Sequence, residues 1–89
     1  MTKFEIANTV YYTGDSETHY TCYDCEVYAS KESLDSSDGY MVQLTEGTLG
    51  FVVSMSELGM VVSLFCGQYI FVPAEHMEEF ERARICRYV

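Results

Sequence analysis

The spacing His19-x-x-Cys22-x-x-Cys25 is the sharpest chemical signal in the chain. A C-x-x-C pair can set two thiolates on one zinc ion, and a His three residues earlier can add a third ligand. Two features oppose a structural zinc site. Cys66 and Cys86 stand twenty residues apart and form no second pair, and Glu26-Val27-Tyr28 continues a strand pattern where a zinc knuckle needs a sharp turn. In a plain strand Cys22 and Cys25 point to opposite faces. The expectation is therefore no cofactor, with the thiols as small core or half-buried residues and His19, Cys22 and Cys25 as the alternative metal set. Thioredoxin-like chemistry is disfavoured too. It needs a helix N-terminus to lower the thiol pKa, and Asp24 and Glu26 act in the opposite sense.

Acid–base or nucleophilic catalysis finds little footing. His19 and His76 are the sole imidazoles, and the chain carries no Gly-x-Ser-x-Gly elbow, no phosphate-cradling glycine loop and no metal-binding His pair. Glu78 and Glu79 are sequence neighbours, so on a helix they project about 100° apart and do not converge. The expectation is a protein that is not an enzyme.

Charge is more informative than any motif. The 89 residues carry 14 acids against 5 bases, a formal net charge of −9, which disfavours direct contact with nucleic-acid phosphates or an anionic membrane. The excess is unevenly spread. All acids lie between Glu5 and Glu81, where Lys31 is the single base, for a net −13, while residues 82–89 hold three arginines and no acid. Asp15, Glu17, Asp24, Glu26, Glu32, Asp35 and Asp38 are expected in loops and on the outward alternation of a strand. Interleaved with Tyr11, Tyr12, Tyr20, Tyr23 and Tyr28, they would form one negative strip with aromatic anchors. Solubility alone can also make a chain acidic.

These groups need a frame. At 48% hydrophobic and 15% aromatic, the chain can bury one modest core, and its length allows a single domain, 1–89. Alternating apolar residues predict strands over residues 3–12 and 19–29, with Tyr23, Cys25, Val27 and Ala29 on one side. Residues 30–39 read as a solvated loop or a single helical turn. A four-strand meander is expected from Tyr40 to Val72, with turns at Glu46-Gly47-Thr48, Ser56-Glu57-Leu58-Gly59 and Gly67-Gln68. Pro73 then stops the sheet and opens a helix with glutamates first and arginines last, whose apolar face would be Ala74, Met77, Phe80, Ile85 and Tyr88. A shorter helix to about Ala83, with residues 85–89 as an edge strand, is the variant. The expected fold class is α+β: a small antiparallel sheet of about five to six strands with one principal C-terminal helix.

The N-terminal residues lack the uninterrupted apolar run of a signal peptide, so a cytoplasmic protein with reduced thiols is expected; in a secreted chain two disulfides would have to be considered. Small size, a single acidic domain and no catalytic motif make the chain similar in kind to phage-encoded anti-CRISPR and anti-restriction inhibitors. That likeness implies a nucleic-acid mimic that inhibits by protein–protein interaction, its partner a protein with a basic DNA- or RNA-binding groove. The partner-binding surface would comprise Asp15, Glu17, Tyr20, Tyr23, Asp24, Glu26, Glu32, Asp35 and Asp38. Two other readings compete. One is a small zinc- or thiol-containing structural module that recruits a protein. The other is an assembly subunit using the apolar strands between Met60 and Val72 as an oligomer face.

Overall fold

The computed structural model describes residues 4–83. In chain order its elements are β1 (Thr9–Tyr12), β2 (His19–Tyr23), α1 (Lys31–Asp35), β3 (Gly39–Gln43), β4 (Leu49–Ser56), β5 (Gly59–Leu64), β6 (Tyr69–Pro73), a 3-10 helix (Ala74–Glu79) and β7 (Phe80–Arg82). All seven strands belong to one antiparallel sheet in the order β3-β2-β6-β5-β4-β1-β7.

The sheet is strongly curled. Tyr12 on β1 and Tyr20 on β2 stand four strands apart in that order, which in a flat sheet would separate them by about 19 Å. Their ring centroids are 5.6 Å apart in an edge-to-face contact. Phe80 on β7 completes the cluster at 5.2 Å from Tyr12 and 6.0 Å from Tyr20. The inner face therefore closes on itself as an open barrel. Its core is Phe4, Val10, Tyr12, Tyr20, Cys22, Leu44, Val52, Met60, Val62, Ile70, Val72 and Phe80. A register shift between Val52 and Ser54 on β4 adds local twist of the kind curling requires.

A second, smaller core lies on the outer face. Tyr23, Val27, Ala29 and Val61 pack there with Leu34, Val53, Tyr69 and Phe71. The excursion between β2 and β3 thus folds back over the sheet, tied down where the Ala29 N–H donates to Ser54 Oγ at 2.9 Å. Its short helix α1 starts at Ser30, whose hydroxyl accepts from the Ser33 N–H. β5, covered on both faces, has four consecutive buried residues, Gly59 to Val62.

The structure corrects several expectations. Among the described residues there is no principal C-terminal helix, and the sheet has seven strands where five to six were expected, so the fold is not an α+β sheet with one principal helix. Residues 74–79 form one short 3-10 helix, and Phe80 leaves it to begin β7, pairing with Tyr12. Glutamates crowd this segment and Met77 is its only large aliphatic side chain, so a helix would bury little, whereas a strand delivers Phe80 into the aromatic cluster. Ile85 and Tyr88 of the expected apolar face, and the variant's strand at 85–89, lie outside the described residues.

The four-strand meander is reduced to three, β4-β5-β6, because β3 pairs with β2. The Glu46-Gly47-Thr48 turn exists, with Gly47 at φ 92, yet its bonds run to β1: Gly47 N–H donates to Tyr12 O at 2.7 Å, and Tyr12 N–H to Thr48 O at 3.0 Å. The turn hands the chain across the sheet instead of folding β3 onto β4. The first strand is also shorter than expected, since Ala7 adopts φ 75 and the turn it makes leaves Ile6 exposed. β2 ends at Tyr23, which leaves Cys25 exposed while Val27 and Ala29 are buried. The strands between Met60 and Val72 occupy the middle of the sheet, with Met60, Val61, Val62, Ile70 and Val72 buried and Phe65 exposed just beyond β5.

Gly59 closes the β4–β5 hairpin at φ 150, and a Cβ there would run into the Val72 carbonyl oxygen and Pro73. Gly59→Ala is expected to cost about 2–4 kcal/mol from the strained conformation and the overpacking together, read as a lower urea midpoint at unchanged slope.

Candidate functional site

The acids are almost entirely at the surface. Thirteen are exposed and Glu79 is half-buried. Among the described residues the bases are Lys31 and Arg82, and an ion pair joins Lys31 Nζ to Asp35 Oδ2 at 2.9 Å, both well exposed. Such a pair contributes little. Burial and internal pairing therefore leave most of the negative charge available to a partner.

Topology places eleven of the fourteen acids in two groups. The first gathers where β1 ends and β2 begins. Tyr12 OH donates to Asp15 O at 2.5 Å, and Asp15 Oδ1 accepts from the Glu17 N–H at 2.8 Å. Thr13 donates from both N–H and hydroxyl to Glu79 O, and Glu79 Oε1 lies over Gly14. Through Tyr12, the turn carrying Glu46 joins the same end, and the 3-10 helix adds Glu75 and Glu78. The second group is Asp24, Glu26, Glu32, Asp35 and Asp38, all on the excursion that leaves the far end of β2 and returns to β3. The length of β2, roughly 13 Å for five extended residues, separates the groups. The single strip expected from Asp15 to Asp38 is thus two patches, and Glu46, Glu75 and Glu78 belong to the first although they were not singled out from the sequence.

Three of the expected aromatic anchors, Tyr12, Tyr20 and Tyr23, are withdrawn from the surface. Tyr20 is 2% exposed and Tyr23 5% exposed. Tyr20 faces the inner core, its hydroxyl 3.4 Å from His76 Nδ1 and its ring edge-to-face with the imidazole. Burial first, then the neighbouring Tyr12 and Glu79, raise its phenol well above the ordinary value. Tyr23 belongs to the outer core, where burial and then Asp35 raise its phenol. Tyr12 is fully buried as well, while Tyr28 is exposed. Alternation along β2 explains the misplacement: every side chain of this strand has a core to enter on one face or the other.

The metal set does not assemble. On β2, His19 and Cys22 fall on opposite faces. Cys22 is buried in the inner core and Cys25 is exposed beyond the strand. Among the described residues no group of three His, Cys, Asp or Glu side chains is placed to hold a metal ion.

The structure instead assembles a polar relay beside β3. The Tyr40 hydroxyl donates to Asp24 Oδ1 at 2.7 Å and accepts from Gln68 Nε2 at 2.7 Å, and the Cys66 thiol donates to Gln68 Oε1 at 2.8 Å. Tyr40 stands directly opposite Cys22 in the β2–β3 register. The bond to Asp24 is the main reason the Tyr40 phenol is pushed up to about 12, and burial is the main reason the Cys22 thiol is raised. The relay pins one acid of the second patch to the end of the sheet. Asp24 was singled out from the sequence, but Tyr40, Gln68 and Cys66 were missed because Tyr40 and Gln68 are 28 positions apart and carry no spacing signature.

No family model matches the chain, and no curated protein and no solved structure matches it either. Among the described residues, no helix is long and apolar enough to cross a membrane.

Three measurements check this arrangement. In Asp24→Asn the Tyr40 phenol should fall from about 12 toward the ordinary 10.0, seen as one tyrosinate appearing earlier in an ultraviolet titration with Tyr40→Phe identifying the signal. Because Tyr20 and Tyr40 hold their protons more tightly folded than unfolded, their stabilisation is complete below about pH 10 and declines as pH rises beyond it. Tyr20→Phe should flatten that alkaline loss in a melting series. In native buffer a thiol reagent should modify Cys25 and Cys66 quickly and reach Cys22 only on unfolding.

Proposed function

We propose that the protein is a non-enzymatic, acidic binding protein that inhibits a nucleic-acid-handling protein by occupying its basic DNA- or RNA-binding site, in the manner of phage anti-CRISPR or anti-restriction inhibitors. The observation that carries this reading is the exposure of thirteen of fourteen acids, with Lys31 to Asp35 the ion pair found among the described residues. Self-repulsion of this kind destabilises a small domain, so a basic partner surface is where it is relieved. The separation of the acids into two patches suits the reading, since the two strands of phosphates that a basic groove receives are likewise two lines of charge set apart. Complementary charge of this sort accelerates association and excludes acidic partners.

The test titrates the protein onto purified CRISPR effector and restriction enzymes and follows loss of their DNA binding. Inhibition should weaken by on the order of tenfold or more between low and moderately high salt, as exposed charges are screened. The quadruple charge reversal at Asp24, Glu26, Asp35 and Asp38 should weaken it similarly. Salt-insensitive binding, or unchanged binding by the quadruple variant, would sink the reading.

A further inference from the structure

The sheet has two margins, and they are treated differently. β7 is three residues long and exposes Glu81 and Arg82, so its charges and brevity discourage a further strand. β3 is the opposite case. Its five residues, Gly39-Tyr40-Met41-Val42-Gln43, pair with β2 in unbroken register and, among the described residues, with no other strand. They include no charge and no proline, and the pairing has no bulge. Met41 is 58% exposed on the outer face and Tyr40 42% exposed on the inner. In an antiparallel ladder alternate residues of an edge strand turn their N–H and C=O groups away from the neighbour. β3 therefore presents an outward row of backbone donors and acceptors, with Tyr40 on one face and Met41 on the other.

The usual protections are missing from the strand itself, and the charges that flank it are all of one sign. Asp38 immediately precedes β3 and Glu46 follows three residues after it. Asp24 is held against it by the Tyr40 hydroxyl. Lys31, the described base on the same excursion, is engaged by Asp35. A second copy of the chain is a poor occupant. Antiparallel self-pairing about Met41 would bring Asp35 and Asp38 of one copy beside Glu46 of the other, and parallel pairing would stack Asp38 on Asp38, between molecules each carrying −9. The same acids admit a strand of opposite charge.

We propose that β3 is a docking edge that captures an extended, basic segment of a partner protein, adding it to the sheet as an eighth strand. Main-chain hydrogen bonds to the outward groups of β3 supply the pairing. Lys or Arg side chains toward Asp24, Asp38 and Glu46 supply the selection, while Tyr40 and Met41 cover apolar side chains of the captured strand. This rests on the function proposed above and names the part of the partner that is recognised.

The experiment uses the full chain, isotope-labelled, and three synthetic peptides: an alternating Lys–Val peptide, the same peptide with alternate backbone amides N-methylated on its pairing edge, and a Glu–Val counterpart. The Lys–Val peptide is expected to shift the amide signals of residues 39–43 and to slow hydrogen exchange of the outward-facing β3 amides about tenfold or more, as paired amides become protected. The N-methylated and Glu–Val peptides should do neither. Met41→Lys should weaken the complex by roughly tenfold, and more than Met41→Glu does, since both remove apolar cover at an exposed position and only the lysine also repels a basic strand. Equal binding by the N-methylated peptide would overturn the inference, showing attraction to acids without strand addition, and would leave the inhibitor reading standing. Binding of the Glu–Val peptide, or a chain already dimeric through residues 39–43 without peptide, would also overturn it. Failure of the inhibitor reading is seen separately, in the DNA-binding titrations.

Discussion

Tyr12, Tyr20 and Phe80 meet inside the sheet although they come from strands that are not neighbours. Aromatic rings in edge-to-face contact at these distances are worth about 0.5–1.5 kcal/mol per pair beyond the area they bury. Their larger effect here is geometric, because they can touch only if the sheet curls. Curling gives the chain an enclosed core despite its length. It also brings the loop after β1, the turn at Gly47 and the 3-10 helix to one end, where Tyr12 is the common hydrogen-bonding partner or neighbour. The acids of the first patch are grouped because the rings are.

Curling also explains why the margins differ. The β7 margin is built by Phe80, which must pair beside Tyr12 to reach the aromatic cluster, and three residues suffice. The β3 margin carries no such anchor. Gly39 sits where a Cβ would strike Thr21 Cγ2 and the Tyr23 ring, so the start of β3 lies close against the outer side chains of β2. The segment 24–38 crosses the outer face before β3 begins, carrying the second acidic patch to that margin. Core packing thus places a charge cluster beside an open backbone edge, and each feature gives the other a possible use.

Much of the sheet could be read locally. The turn at Gly67 and the β4–β5 turn are where apolar alternation stops and glycine begins, and the doubly covered strand β5 was visible as an unbroken apolar run. The acidic excess and the exposure of its members followed from composition. What misled was the assumption that a local signal names its own partner. The glutamate-to-arginine gradient after Pro73 has the order a helix prefers, and a turn residue at Gly47 looks like a hairpin. In both places a contact with β1, some 35 to 70 residues away in the chain, decided the outcome. The tyrosines misled for a related reason: an alternating strand shows which side chains share a face, but not that both faces are covered.

The sequence by itself determined that this chain would be a strand-rich, acidic domain with its charges at the surface and its thiols dispersed. Those properties depend on side-chain period and solvation, which act over a few residues. Only the tertiary structure decided the strand order, the conversion of residues 74–82 into a short 3-10 helix and a strand, the two-patch grouping of the acids and the open β3 margin. Each of these is a choice among pairings of similar local energy. It was settled by which long-range arrangement let Tyr12, Tyr20 and Phe80 leave water together.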